Sequence, residues 1–200
     1  MRPATQLALS FVTAILFAGV TGIPAQAAAT KPQTMHPGDN KIELPFDGLK
    51  RGYIVHVPPG YDGVTRVPVV IMLHGGGGKA RGAMAETGWS AKADKENFLV
   101  VYPEGVARNP ERHASFLFNP QTWNDGSGRE NLAAAQKKID DVGFLNAMLD
   151  DMGTRLRMDP RRIYVTGFSN GASMAFRAGR ELRLMRTGFS ALSPEAAQYL

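Results

Sequence analysis

The stretch "DPRRIYVTGFSNGASMAFRAGREL", residues 159–182, decides the fold. Its apolar centre reads as a strand, and "NGASMAFRAGREL" reads as a helix. Between them Gly167, Ser169 and Gly171 fit the spacing G-x-S-x-G. That spacing lifts a serine onto a sharp strand-to-helix turn. The two glycines leave room for a strained backbone and for close strand–helix packing. The start of the helix aims backbone N–H groups at the serine. An ordinary helix-capping serine is the competing explanation. The strand before and the helix after make Ser169 the candidate nucleophile.

Working outward, "VVIMLHGGGG" (69–78) is a second strand ending in a glycine run. A continuous apolar run suits a strand covered on both faces of a largely parallel sheet. Acyl transfer needs two donors for the developing oxyanion. The backbone N–H of Asn170 is one, and the N–H of Gly75 or Gly76 is the other. A phosphate-binding loop is disfavoured, because no Lys-Ser/Thr pair follows the glycines. His74 is expected to support the loop rather than to act as the base.

Elsewhere "KIELPF" and "RGYIVHV" flank Asp47-Gly48, a hairpin signal. "GAMAETGWSAKADKEN" reads as one helix, with Met84, Trp89 and Ala93 roughly on one face. "FLVVYPEG" is another buried strand. Residues 104–138 form a long irregular stretch, and a loop of that length is usually functional or disordered. Its aromatic residues Phe116, Phe118 and Trp123 argue for order. Trp123 is either a wall of a substrate pocket or a core anchor for the loop. "KIDDVGFLNAMLDDMGTRLRM" reads as an amphipathic helix, with Ile139, Val142, Leu145 or Asn146, Leu149 and Met152 recurring at helical steps. Asp140 and Asp141 at its start suit the helix dipole, with one of them hydrogen-bonded to a neighbouring strand or loop. A hairpin followed by alternating strands and helices predicts an α/β sandwich with a mostly parallel sheet.

The 200 residues are enough for one domain with a core, and 44% apolar content with 20% charge is globular. The net charge of +5 is scattered, which gives no stripe for nucleic acid. Residues 1–27 combine Arg2, an apolar run from about Leu7 to Val20, and Ala25-Gln26-Ala27, the pattern of a cleaved signal peptide. Such a chain is exported to the periplasm or beyond and keeps no stable membrane anchor after cleavage. The run is shorter than the roughly 20 residues of a comfortable span. Residues 28–40 read as a flexible leader. The chain has no cysteine, so disulfides and a cysteine-borne lipid anchor are both excluded. No cofactor or metal site is expected.

"VVIMLHGGGG", "TGWSAKADKENFLVVYPEG", "TWNDGSG", "IDDVGFLNAMLDDM" and the opening stretch together resemble the polyhydroxybutyrate depolymerase and feruloyl esterase group of α/β-hydrolases. The likeness covers roughly residues 50 to 182. It implies a secreted serine esterase acting on short-chain hydroxyacid polyesters or related acyl esters. It implies Ser169 as nucleophile, Asn170 with Gly75 or Gly76 as oxyanion donors, and residues 41–200 as a partial α/β-hydrolase domain. Many relatives carry cysteines where this chain has "NDGSGREN", which weakens the likeness to fungal feruloyl esterases. The group also places its catalytic Asp and then His on later strands. Here "TGFSALSP" is the candidate for the next strand, but no aspartate or histidine follows Ser169. His113 is the candidate base for a triad in another chain order. The expectation is the nucleophile part of an esterase with the C-terminal part of the fold missing. The alternative is an inactive truncated or frameshifted hydrolase.

Overall fold

The computed structural model describes residues 35–182. The signal-peptide segment, most of the leader and the "TGFSALSP" strand lie outside the described residues. Strands β1 (Gly38–Phe46) and β2 (Leu49–Val57) form the expected antiparallel hairpin. Its two-residue turn puts both Asp47 (φ 50°) and Gly48 (φ 72°) at positive φ, which matches the twist of the flanking strands. β1 starts three residues earlier than expected, inside the segment read as leader. Asn40 explains the difference: its side chain is buried, accepts from the His36 N–H and donates to the His36 and Gly38 carbonyls. Those bonds fold the chain onto the strand.

Strands β3 (Val67–Leu73), β4 (Leu99–Pro103) and β7 (Met158–Gly167) run parallel, and the hairpin adds through β2, antiparallel to β4. The order across the sheet is β1-β2-β4-β3-β7. Alternate residues of β3 face opposite layers. Val69, Ile71 and Leu73 join the core under α4 (Asp141–Arg155) and α5 (Asn170–Glu181). Val70 and Met72 join the core under α1 (Ala80–Thr87) and α2 (Trp89–Glu96). This is the two-faced burial read from the apolar run, and the fold is the expected α/β sandwich with a mostly parallel core sheet.

The single helix expected over 82–97 is two helices. Gly88, at φ 68° in the left-handed region, ends α1 and begins α2. Trp89 and Ala93 are buried in one cluster, and Met84 packs against it. The long stretch 104–138 also carries regular structure that sequence reading missed. β5 (Val106–Ala107) pairs with β6 (Gln121–Thr122), and α3 (Ala133–Gln136) follows. These pieces are two and four residues long, too short for periodicity to reveal. On α4 the buried face holds Val142, Leu145, Leu149 and Met152 as read, and adds Phe144 and Met148.

The acids at the start of α4 serve structure, as expected. Asp140 caps the helix by accepting from the Gly143 N–H at 2.8 Å. Asp141 is fully buried, pairs with Arg51 of β2 at 2.7 Å and accepts from the Asn124 N–H at 2.7 Å. Arg51 also donates to the Glu104 carbonyl and lies 3.8 Å over the Phe144 ring. One ion pair thus joins the hairpin, the β4 exit, the tryptophan loop and α4.

Breaking a buried pair by removing one partner costs about 3–5 kcal/mol. Arg51→Met should lower stability by that amount in urea titrations. Arg51→Met combined with Asp141→Leu should recover part of the loss, and strict additivity of the two single changes would contradict this account.

Candidate active site

Ser169 stands between β7 and α5 with φ 50° and ψ −118°, a backbone state that costs a non-glycine residue about 1–3 kcal/mol. The residue is exposed and its side chain makes no capping hydrogen bond to the helix. The capping explanation is therefore not what the geometry supports. Both flanking glycines are required by close approach. A Cβ on Gly171 would collide with the carbonyl oxygens of Leu73 and His74, and one on Gly167 would collide with the Gly171 backbone. The Phe168 N–H donates to the Leu73 carbonyl at 3.1 Å, which locks the turn to the end of β3.

That contact brings the glycine run against the serine. A Cβ built on Gly75 would lie 3.5 Å from the Ser169 Cβ, and one on Gly76 would lie 3.8 Å from the Asn170 Cβ. The Gly75 carbonyl accepts from His74 Nδ1 at 2.8 Å and from the Gly78 N–H at 2.9 Å. In a trans peptide the carbonyl and the following N–H point oppositely, so the Gly76 N–H is turned away from those partners. The same holds one element away. The Ser169 carbonyl accepts from Ala172 and Ser173 along α5, which turns the Asn170 N–H out of the helix start. Among the described residues neither N–H donates to another protein group.

His74 frames the loop, as read from sequence. Its Nε2 accepts from the Gly105 N–H at 3.0 Å while Nδ1 donates to the Gly75 carbonyl, so the ring is neutral and one tautomer fits. Burial pushes its pKa down to about 4, against the favourable bond to Gly75. Trp123 is fully buried, its ring centre 4.9 Å from that of His74 and its Nε1 donating to the His74 carbonyl. It is a core anchor beneath the glycine loop and not the pocket wall weighed as its other role.

The side chain of Asn170, read only as the owner of a backbone donor, proves to be a clamp. Its Oδ1 accepts from the Trp123 N–H at 2.8 Å, and its Nδ2 donates to the Trp123 carbonyl and to Asp125. Burial disfavours the Asp125 charge, but hydrogen bonds from Ser127, Arg129 and Asn170 hold its pKa below the ordinary carboxylate value. Arg177 of α5 donates to the Asn124 carbonyl at 2.8 Å. The "TWNDGSG" loop is thus fastened along the elbow helix. Its composition signals a turn, while its partners lie 45 or more residues away and leave no local signal.

Two clefts flank Ser169. One of about 580 Å³ is walled by His74, the glycine run, Phe116 and Phe168. The other, about 850 Å³, is walled by Asp125, Ala172, Ser173 and Phe176. Ser169 is in the wall of neither, but its neighbours are in both. No described histidine hydrogen-bonds to Ser169. His56 lies at the opposite end of the sheet, 2.7 Å from Asp39 and 2.8 Å from Asp94. Burial disfavours its cation, yet the two carboxylates raise its pKa above the ordinary value. His113, the alternative base, is exposed and lines a separate cavity with Arg51. Among the described residues no group of acidic or histidine side chains is arranged to hold a metal ion, and no helix is long and apolar enough to cross a membrane.

A parallel sheet with a strained serine at the end of one strand, and a glycine loop at the end of its neighbour, is the arrangement of an α/β-hydrolase-type fold. An S-formylglutathione hydrolase from Agrobacterium tumefaciens superposes with a TM-score of 0.56 at 18% identity, over 80% of this chain and 59% of that one. That likeness is one of fold. The chain belongs to the Esterase PHB depolymerase family, whose profile matches residues 51–195. It is 35% identical over 119 residues to poly(3-hydroxyalkanoate) depolymerase C of Paucimonas lemoignei, covering 60% of this chain and 25% of that protein. It is 28% identical to feruloyl esterase B of Thermothelomyces thermophilus, covering 74% of this chain and 43% of that protein. The chain spans less than half the length of either relative.

Two outcomes follow from this geometry. Gly171→Ala should cost about 1–3 kcal/mol, at the upper end because backbone is the obstacle, and urea titration measures it. His74 is neutral when folded, so the unfolded chain takes up its proton first as pH falls. Its contribution is fully present above the ordinary value of 6.5 and is lost as pH falls toward 4, by up to about 3 kcal/mol. The raised pKa of His56 acts above 6.5 instead. The melting temperature of His74→Gln should therefore start lower but fall less than that of the wild type between pH 6.5 and 4.

Proposed function

We propose that this chain carries the nucleophile and oxyanion part of a secreted serine ester hydrolase. The observation that carries the reading is Ser169: exposed, at φ 50°, uncapped, and backed by the Gly75–Gly76 loop. In the reaction Ser169 Oγ attacks the acyl carbon and gives its proton to a base. The carbonyl electrons move onto oxygen, where the N–H groups of Gly76 and Asn170 receive them. Collapse expels the alcohol, protonated by the same base, and leaves an acyl-serine that water then cleaves. Gly75 serves by letting its carbonyl turn inward, which aims the Gly76 N–H.

Short-chain hydroxyacid polyester is the substrate class favoured by the family and by the poly(3-hydroxyalkanoate) depolymerase relative, and the cleft beside Ser169 has apolar walls, where Phe116 and Phe168 are 69% and 60% exposed. Export is supported by the apolar segment followed by Ala25-Gln26-Ala27. A second reading has its own observation: neither histidine nor aspartate follows Ser169. On that reading this polypeptide alone does not turn over, since an oxyanion hole and binding without a triad retain only about 10³–10⁴-fold over water.

A fluorophosphonate probe separates the two. Covalent labelling and p-nitrophenyl butyrate hydrolysis that vanish in Ser169→Ala are expected of a working hydrolase. Neither labelling nor turnover above the Ser169→Ala background would establish the second reading.

A further inference from the structure

His56 of β2 sits in a geometry that a neutral ring cannot satisfy. Its Nδ1 lies 2.7 Å from an Asp39 oxygen of β1, and its Nε2 lies 2.8 Å from an Asp94 oxygen of α2. Carboxylate oxygens accept, and a neutral imidazole has a single N–H. Its other nitrogen would turn a lone pair on a carboxylate. Two close acceptors call for two N–H groups, which only the imidazolium has. The ring is 11% exposed, so little water competes for those bonds.

The two carboxylates are not held alike. Asp39 stands directly opposite His56 in the β1–β2 ladder, which keeps it in place whatever the ring does. Asp94 belongs to the last turn of α2, a two-turn helix bounded by Gly88 and Asn97, both in the left-handed region. An acid in a last turn opposes the helix dipole, and a cation on the neighbouring strand offsets that cost. The first turn of α2 is fastened separately, by the buried Trp89 and by Ser90, whose hydroxyl is 2.9 Å from that of Tyr102. Asp39 and Asp94 are the charges that act on the ring. Lys41 follows Asp39 on the same face of β1, and Lys92 and Lys95 flank Asp94 on α2. From β4 the ring faces the apolar Val100. We propose that His56 is a pH-operated clasp: as a cation it bridges Asp39 and Asp94 and holds the last turn of α2 to the hairpin, and when it gives its proton to water it releases Asp94 and keeps Asp39. Burial disfavours the cation, but the two carboxylates outweigh it and raise the pKa above 6.5. The clasp is therefore closed at and below that pH and opens on the alkaline side. It bears on the cleft beside Ser169, because α2 supplies Trp89 to the cleft wall. It does not depend on the ester-hydrolysis reading.

Histidine ¹⁵N NMR and amide hydrogen exchange on the full chain test this without turnover. The His56 ring should titrate with a midpoint above the ordinary histidine value of 6.5. Amides of residues 92–97, corrected for the intrinsic pH dependence of exchange, should open about five- to tenfold more readily above the midpoint than below it. That is the scale of one hydrogen bond to a charged group, reduced because the Asp94 side chain is 44% exposed. Amides of residues 69–73 in β3 should not change, which separates local release from general loosening. His56→Gln should abolish the pH dependence of residues 92–97. Asp94→Asn, at an exposed position, should lower the His56 midpoint and flatten that dependence, and it serves if His56→Gln does not fold. A midpoint at or below 6.5, pH-independent exchange of residues 92–97, an equal change in β3, or a pH dependence that survives in either variant would each overturn the proposal. Because labelling of Ser169 is read separately, failure here leaves the ester-hydrolysis reading to stand or fall by its own test.

Discussion

The close approach of the elbow helix to the end of β3 governs the rest of the structure. Gly171 lies where its neighbours are the carbonyl oxygens of Leu73 and His74, with no room for a side chain. Only with that contact made does the turn at Phe168 reach β3, and only then does the glycine run lie beside Ser169. The strain at Ser169 follows from it. A residue at φ 50° and ψ −118° persists because packing on both sides over-determines it. Here that packing is the parallel pairing of β3 with β7 and the burial of Met174, Ala175 and Ala178 beneath α5.

A second layer then holds the first without touching the serine. His74 joins the glycine loop to the β4 exit, Trp123 fixes the His74 carbonyl, and the Asn170 side chain fixes Trp123. The chain of bonds closes on itself, since Asn170 is also the first residue of α5. Each member is buried and its bonds are satisfied, the condition under which a polar network rigidifies a site instead of weakening it. Residues from three separate stretches of sequence therefore set the direction of two backbone N–H groups.

Features written in consecutive residues were legible beforehand. The hairpin turn at Asp47-Gly48, the two-faced β3, the serine elbow and the glycine run all carry their reason within a few positions. So did the supporting role of His74, by resemblance. Features that depend on a distant partner were not. Arg51 and Asp141 are 90 positions apart, and nothing near either one announces the other. The Asn170 clamp is invisible because asparagine after an elbow serine is already accounted for by its N–H. Gly88 was visible but ambiguous, since a glycine within a helical pattern either weakens the helix or ends it. Trp123 stood between two roles until burial was known, because an aromatic residue in a loop serves equally well as anchor or wall.

The arrangement separates two requirements of acyl transfer that are often described together. Charge stabilisation needs donors held rigidly where the oxyanion will form, and the proposed donors, the N–H groups of Gly76 and Asn170, are backbone groups fixed by β3, α5 and the layer behind them. Proton transfer needs a base of suitable pKa within reach of Oγ. The buried His74 cannot supply it: its lone pair on Nε2 is held by the Gly105 N–H, its pKa is held near 4, and both nitrogens are occupied. His56 is fixed between two carboxylates at the far end of the sheet. Each histidine that the fold buries is committed to holding its own region together. On the proposed reading, therefore, the Ser169 proton does not go to a histidine that the fold buries.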